Sequence, residues 1–161
     1  MPYTRPTTDI AKEGLFNILQ NNLEVDELKV LDLFGGTGCI SYELASRGAP
    51  DITIVEKDNQ MYDFIKKTSV DLAFENFTVV KSDVFRFIET TQQQYDFIFA
   101  GPPYALTTID DLPIKIFENN LLKPNGWFVL EHTPRNNYKK FAHYKTERNY
   151  GTTIFSIFTN S

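Results

Sequence analysis

One cysteine, Cys39, excludes an internal disulfide framework. Two histidines, His132 and His143, give no cluster with the spacing of a structural zinc site, so a metal-free protein is expected. No apolar run is long enough to cross a bilayer, and the first residues contain no apolar signal core; a cytoplasmic location without membrane contact is expected. Positive charge is also scarce. Sixteen Lys and Arg against 21 Asp and Glu leave a net charge of −5, which argues against binding nucleic acid by bulk charge. The deficit is uneven, because Arg135, Lys139, Lys140, Lys145 and Arg148 meet only Glu147 in the C-terminal stretch. That local patch can touch phosphates or simply be a solvated surface. Repeats and low-complexity stretches are missing too. What remains, 42% hydrophobic and 23% charged residues over 161 positions, is the composition of one globular domain with a real core. A single domain over 1–161 and a monomer are expected.

Strand and helix signals alternate along the chain. Thr7-Thr8-Asp9 offers a cap and a first-turn acid for a helix to about Asn21, with Ala11, Leu15, Ile18 and Leu19 at helical spacing. Lys29–Phe34 reads as a strand ending in a glycine turn, Ile40–Arg47 as a helix stopped by Gly48 and Pro50, and Ile52–Glu56 as a second buried strand. Asp58 can cap a long helix whose Met61, Ile65 and Leu72 share a face. Phe77–Val80 is a third strand, Val84–Thr90 a short helix, Tyr95–Ala100 a fourth strand, Ile109–Asn120 a looser helix and Gly126–Glu131 a fifth strand. Phe141–Glu147 and Thr152–Phe158, around a turn at Asn149-Tyr150-Gly151, predict an antiparallel hairpin. The pattern predicts an α/β, Rossmann-like, doubly wound and mostly parallel seven-stranded sheet with an antiparallel C-terminal hairpin, similar to the class I methyltransferase fold.

Two strand ends carry most of the chemistry. Tyr95–Ala100 runs into Gly101-Pro102-Pro103-Tyr104, and two prolines, each without a donor, end the strand at the sheet edge where ligands bind in open α/β folds. The plain alternative is a strand-ending turn whose tyrosine packs in the core. Leu31–Gly38 is a buried strand followed by glycines, which let backbone approach a ligand while the next helix aims its unpaired N–H groups at it. Glu56, ending the next strand, can accept both hydroxyls of a ribose. Asp32 distinguishes two cofactor classes. A carboxylate before the glycines repels a pyrophosphate, which disfavours a nicotinamide-dependent oxidoreductase, and attracts the ammonium of S-adenosylmethionine (SAM); the bland alternative is an Asp capping its own turn. Asp83, after Ser82 and before Val84, adds a third acid at a third strand end; the likeness to methyltransferases implies that an acid there accepts the adenine exocyclic amine, although it also reads as a helix cap. Together these predict a SAM site. Cys39 reads as a small helix residue, His132 as a satisfied edge histidine, and Trp127 and Phe128 as core.

With those motifs assembled, the chain resembles the bacterial 16S rRNA guanine-N2 methyltransferase D family. The resemblance covers nearly the whole sequence: Arg5-Pro6-Thr7-Thr8-Asp9 through Leu15-Phe16-Asn17 matches the entry segment, Leu31–Gly38 the cofactor loop, Val55-Glu56-Lys57-Asp58 the ribose-binding strand end, and Tyr95–Tyr104 the catalytic strand and motif. It implies SAM contacts at Asp32, Phe34, Gly35, Gly36, Thr37, Gly38, Glu56, Lys57, Asp83 and Val84. It implies substrate contacts at Arg5, Thr7 and Tyr104, and methyl transfer at Gly101, Pro102, Pro103 and Tyr104 to a guanine N2 amine of small-subunit rRNA, free or in the ribosomal subunit or its assembly intermediate. Three positions depart from the family. Gly101 replaces the polar residue usual before the prolines, Thr68 stands where Asn is usual, and only four residues precede Arg5 where the family carries a basic β-hairpin; a removed hairpin would take RNA-binding surface with it. Two alternatives stay open: a SAM-binding module with weak or no catalysis, motivated by Gly101 and the missing hairpin, and, because Pro-Pro-Tyr is shared, an amino-methyltransferase acting on DNA or protein.

Overall fold

The apolar runs become five parallel strands: β1 Lys29–Leu33, β2 Asp51–Glu56, β3 Phe77–Lys81, β4 Tyr95–Ala100 and β5 Leu122–His132. Two more, β6 Tyr144–Tyr150 and β7 Thr153–Thr159, pair antiparallel, and β7 runs antiparallel to β5. This computed structural model describes residues 7–36, 38–103 and 105–161. The sheet order is β3-β2-β1-β4-β5-β7-β6. The expected doubly wound, mostly parallel seven-stranded sheet with its antiparallel hairpin is therefore present. Because β1 is flanked by β2 on one side and β4 on the other, the chain reverses its direction of travel across the sheet there. A cleft forms outside the carboxyl ends of strands at such a switch point.

Helices cover both faces, which is why the central strands are apolar on both sides. On one face, Ala11, Leu15, Phe16 and Leu19 of α1 (Asp9–Asn22), Ile40 and Leu44 of α2 (Cys39–Ser46) and Ile65 of α3 (Asn59–Asp71) pack on Val30, Ile54, Phe97 and Val129. On the other, Val84 and Ile88 of α4 (Val84–Thr90) and Leu112 and Ile116 of α5 (Asp111–Glu118) pack on Leu31, Leu33, Ile98 and Leu130. The expected caps form: Thr8 Oγ1 accepts from the Ala11 N–H at 3.2 Å, Asp58 Oδ2 from Met61 at 2.9 Å and Asp83 Oδ2 from Arg86 at 3.1 Å. Among the described residues no helix is long and apolar enough to cross a membrane.

The C-terminal third differs from expectation in its boundaries. β5 begins at Leu122 rather than Gly126, since Leu122 pairs with Tyr95 and a register shift between Tyr95 and Phe97 absorbs the Pro124–Gly126 segment. α5 starts after Asp110, with Pro113 in the first turn, where a missing donor costs no helical bond. β6 extends to Tyr150, which pairs with Thr153, so the link is Gly151-Thr152 and not the predicted three residues. Gly151 has φ +70°, the left-handed geometry that a two-residue link needs at its first position.

The loop from β5 to β6 is pinned by one buried ring. Tyr138 is fully buried, and its hydroxyl donates to Asp110 Oδ1 at 2.8 Å. Burial, reinforced by Asp110, pushes this hydroxyl far above its ordinary range, so it remains a donor. Tyr138→Phe should cost about 1.5–3 kcal/mol in urea denaturation, the range for a hydrogen bond to a charged group. An unchanged midpoint would show that the bond contributes nothing.

Candidate active site

The glycine turn after β1 is built to leave no room. A Cβ on Gly35 would stand 2.4 Å from Ile54 Cγ2, and the Gly35 N–H donates to the Val55 carbonyl at 3.1 Å, extending the β1–β2 pairing by one residue. Gly38 caps α2 with φ +82°, and a side chain there would meet the Tyr42 ring at 2.7 Å. Phe34, between strand and glycines, has φ +61°, a conformation unusual for a bulky residue and found where a site requires it.

Glu56 ties the turn to the next strand end. It is 8% exposed; Oε1 accepts the Gly36 N–H at 3.0 Å and Oε2 the Asp58 N–H at 2.9 Å. Sequence reasoning assigned Glu56 to a ligand and missed this second task of fixing two loops. Each carboxylate oxygen retains a further lone pair for a hydroxyl donor.

Asp32 lies deeper. It is 2% exposed, one residue before the end of β1, and accepts a 2.6 Å hydrogen bond from Ser41 Oγ on α2. Burial pushes its carboxyl up to about 7; the Ser41 hydrogen bond opposes this, while the charges of Glu56 and Glu131 add to it. Asp32 is not among the residues lining the cavity described next. It is held inside β1 by the Ser41 hydroxyl of α2.

A cavity of about 480 Å³ opens at the carboxyl ends of the strands, within the range of small-molecule sites. Phe34 follows β1; Glu56 ends β2, and Lys57, Asp58, Asn59 and Met61 follow it; Asp83, Val84 and Phe85 follow β3; and Gly101, Pro103 and Leu106 follow β4. The structure thus gathers Phe34, Glu56, Lys57, Asp83, Val84, Gly101 and Pro103 of the expected site around one space. Pro102 is buried beside them. Thr7 lies at the β5 end, where its Oγ1 donates to Glu131 Oε1 at 2.7 Å. Arg5, Thr37 and Tyr104 lie outside the described residues. Asn59, Phe85 and Leu106 were not singled out, and Met61 was read only as part of a helix face; for Asn59, Met61 and Phe85 the Asp58 and Asp83 caps were the available signal, since cap geometry brings the first helical turn to the same edge.

The lining decides what fits. Glu56, Asp58 and Asp83 face one basic side chain, Lys57, among the described lining residues. A polyphosphate finds little positive charge there, whereas a ligand with hydroxyls, an amine and positive charge finds acceptors. With the glycine cradle closed to any side chain at Gly35, this is a fit for SAM. Cys39 starts α2 against the core. His132 is 1% exposed, with Nδ1 2.8 Å from the Thr133 carbonyl and Nε2 2.6 Å from Ser156 Oγ, so its ring is held as a structural bridge.

Known proteins share this architecture and sequence. The family model described as Conserved hypothetical protein 95 matches residues 1–159. Ribosomal RNA small subunit methyltransferase D of Buchnera aphidicola is 30% identical over 152 residues, covering 89% of this chain and 77% of that protein. The Escherichia coli K12 protein of the same name is 31% identical over 130 residues, covering 81% of this chain, which spans only 62% of that relative's length. In fold, the chain is similar to the Thermus thermophilus 16S rRNA N2 G1207 methyltransferase solved with AdoMet and guanosine, at 24% identity and a TM-score of 0.75 over 96% of this chain and 44% of that one. The chain belongs to the Conserved hypothetical protein 95 family, the family of ribosomal RNA small subunit methyltransferase D.

Proposed function

We propose that this chain is a SAM-dependent methyltransferase that methylates the exocyclic N2 amine of a guanine in small-subunit (16S) rRNA, in the cytoplasm. The observation that carries this reading is a single cavity walled by Glu56 and Asp83 on one side and by Gly101 and Pro103 on the other. A cofactor side and an acceptor side thereby share one space. Glu56 would receive the ribose hydroxyls, Asp83 and Val84 the adenine, and the glycine turn would lie along the amino-acid end above Asp32. When bound, SAM supplies a methyl group on a sulfonium, already electrophilic.

What remains for the protein is alignment. A guanine amino group is a poor nucleophile because its lone pair is delocalised into the ring. Backbone carbonyls of Gly101 and Pro102 would accept its N–H groups and favour a tetrahedral nitrogen, and Tyr104 would stack on the extruded base. Such stacking is worth about 1–3 kcal/mol, against a few kcal/mol to unstack the base. Holding the amine in line with the methyl supplies most of the acceleration. Arg135, Lys139 and Lys140, exposed on the loop that leaves the same edge after β5, would meet phosphates.

Labelled methyl transfer from SAM to unmethylated small subunits and to naked rRNA tests this. Label at one guanine, recovered as N2-methylguanine after digestion, is expected. SAM binding in calorimetry with no transfer to either substrate would overturn it in favour of a binding module, and label on DNA or protein in favour of another amino-methyltransferase.

A further inference from the structure

Behind Gly101 stands a carboxylate that no step above uses. Glu131 is the penultimate residue of β5 and is 2% exposed. β4 and β5 are neighbours, with Ala100 in register with Leu130, so the next residue of each strand brings Gly101 beside Glu131. A Cβ on residue 101 would stand 3.5 Å from Glu131 Oε1. The same oxygen accepts the 2.7 Å hydrogen bond from Thr7, which fixes the carboxylate between the motif corner and the segment entering α1. Gly101 also lines the cavity. Glu131 does not line it, so an approach to Oε1 from the cavity passes residue 101, where no side chain fills the space.

We infer that Glu131 is a catalytic residue of the methyl transfer, accepting an N–H proton of the guanine N2 amine across the space that a side chain at residue 101 would fill. This rests on the methyltransferase reading. As the amine nitrogen forms its bond to the methyl carbon, the carbon–sulfur bond breaks with its electron pair left on sulfur. The nitrogen then carries a positive charge and one proton more than the product. That proton passes to Glu131, which returns it to water once the methylated base has left. The carbonyls of Gly101 and Pro102 accept hydrogen bonds but do not take up a proton near neutrality, whereas a carboxylate does both. Glycine at 101 fits this arrangement: a longer residue there fills the approach to Oε1 and meets Phe99 Cε2 at 3.3 Å already at its Cβ.

Glu131→Gln keeps the shape and the acceptor for Thr7 while removing the proton acceptor. Its kcat should fall about 10²-fold or more, with KM for RNA and calorimetric SAM affinity within about threefold of the unaltered chain. A second readout needs no turnover. Gly101→Asp sets two carboxylates side by side, so its thermal midpoint at pH 8 should lie below that of Gly101→Asn, and the gap should vanish in a Glu131→Gln background. The Gly101→Asp, Glu131→Gln double variant should also recover transfer at least about tenfold over Glu131→Gln alone. Transfer by Glu131→Gln within threefold of the unaltered chain overturns the inference. So does a fall in SAM affinity or folding that matches the fall in rate, because Glu131 is then structural. No transfer by the unaltered chain overturns the methyltransferase reading and this inference together, whereas a loss confined to the variant bears on Glu131 alone.

Discussion

Asp32→Asn should raise the thermal midpoint of the ligand-free chain at pH 8 by roughly 5–10 °C and weaken SAM binding about 30-fold or more. Burial raises the Asp32 carboxyl from 3.8 to about 7 in the folded chain. Between those values the folded chain holds a proton that the unfolded chain releases. Stability from this group therefore falls as pH rises from about 4 to about 7, and the full penalty is present above pH 7. A gap of about three pKa units corresponds to roughly 4 kcal/mol; with allowance for relaxation, about 2–3 kcal/mol is recoverable. Asparagine carries no ionisation penalty and keeps an oxygen for the Ser41 hydroxyl. Below pH 4 the two chains should be equally stable as far as this position is concerned.

Binding reverses the advantage. A cationic ligand over the glycine turn favours the ionised carboxylate, and opposite unit charges about 8 Å apart at an effective dielectric near 20 attract by about 2 kcal/mol. The unaltered chain should bind SAM more tightly at pH 8 than at pH 6 and release a fraction of a proton on binding, seen by calorimetry in buffers of different ionisation enthalpy. The variant should show neither effect. A flat pH dependence in the unaltered chain, or a variant no more stable at pH 8, would sink this account of Asp32.

Gly35→Ala should cost about 2–3 kcal/mol in denaturant unfolding and reduce SAM affinity at least about tenfold. The new methyl would stand 2.4 Å from Ile54 Cγ2 and 3.0 Å from Ile65 Cδ1, and both side chains are fully buried. A Cγ2 on a central strand has no free rotor with which to move aside, so the turn itself must lift. Lifting it strains the Gly35–Val55 backbone bond and the Gly36–Glu56 bond, and Glu56 loses the contact that aims it at the cavity. An alanine chain with native stability and affinity would mean that the turn is softer than its packing indicates.

Legibility followed the range of the interactions. The alternation of buried strands and capped helices was readable because burial pattern and caps act within a few residues: Thr8, Asp58 and Asp83 were all identifiable as helix starts. Asp32, Glu56 and Asp83 were readable as candidates because each sits at or beside a strand end, and of the three Glu56 and Asp83 line the cavity while Asp32 does not. Glu131 was not, because its approach to Gly101 depends on β5 lying next to β4 and on their register, which no local signal states. The depth of Asp32 was hidden for the same reason, its burial coming from α2 packing over β1 through Ser41. The hairpin boundaries moved because pairing across Gly151-Thr152 sets them, rather than the polar residues that mimic a turn at Asn149.

The hairpin also settles how the sheet ends. Among the described residues β6 has a partner on one side only, so its outer rim offers backbone donors and acceptors to any extended chain that drifts alongside. Open rims of this kind seed strand-by-strand aggregation unless side chains discourage it, and lysine is an effective deterrent. Lys145, Arg148 and Asn149 are exposed along β6. Arg148, one of the charges that composition marks as a place for phosphates, lies along that rim, whereas Lys145 turns its amine over the Trp127 ring; neutralising Arg148 would therefore also remove an obstacle to an unwanted copy of the chain itself.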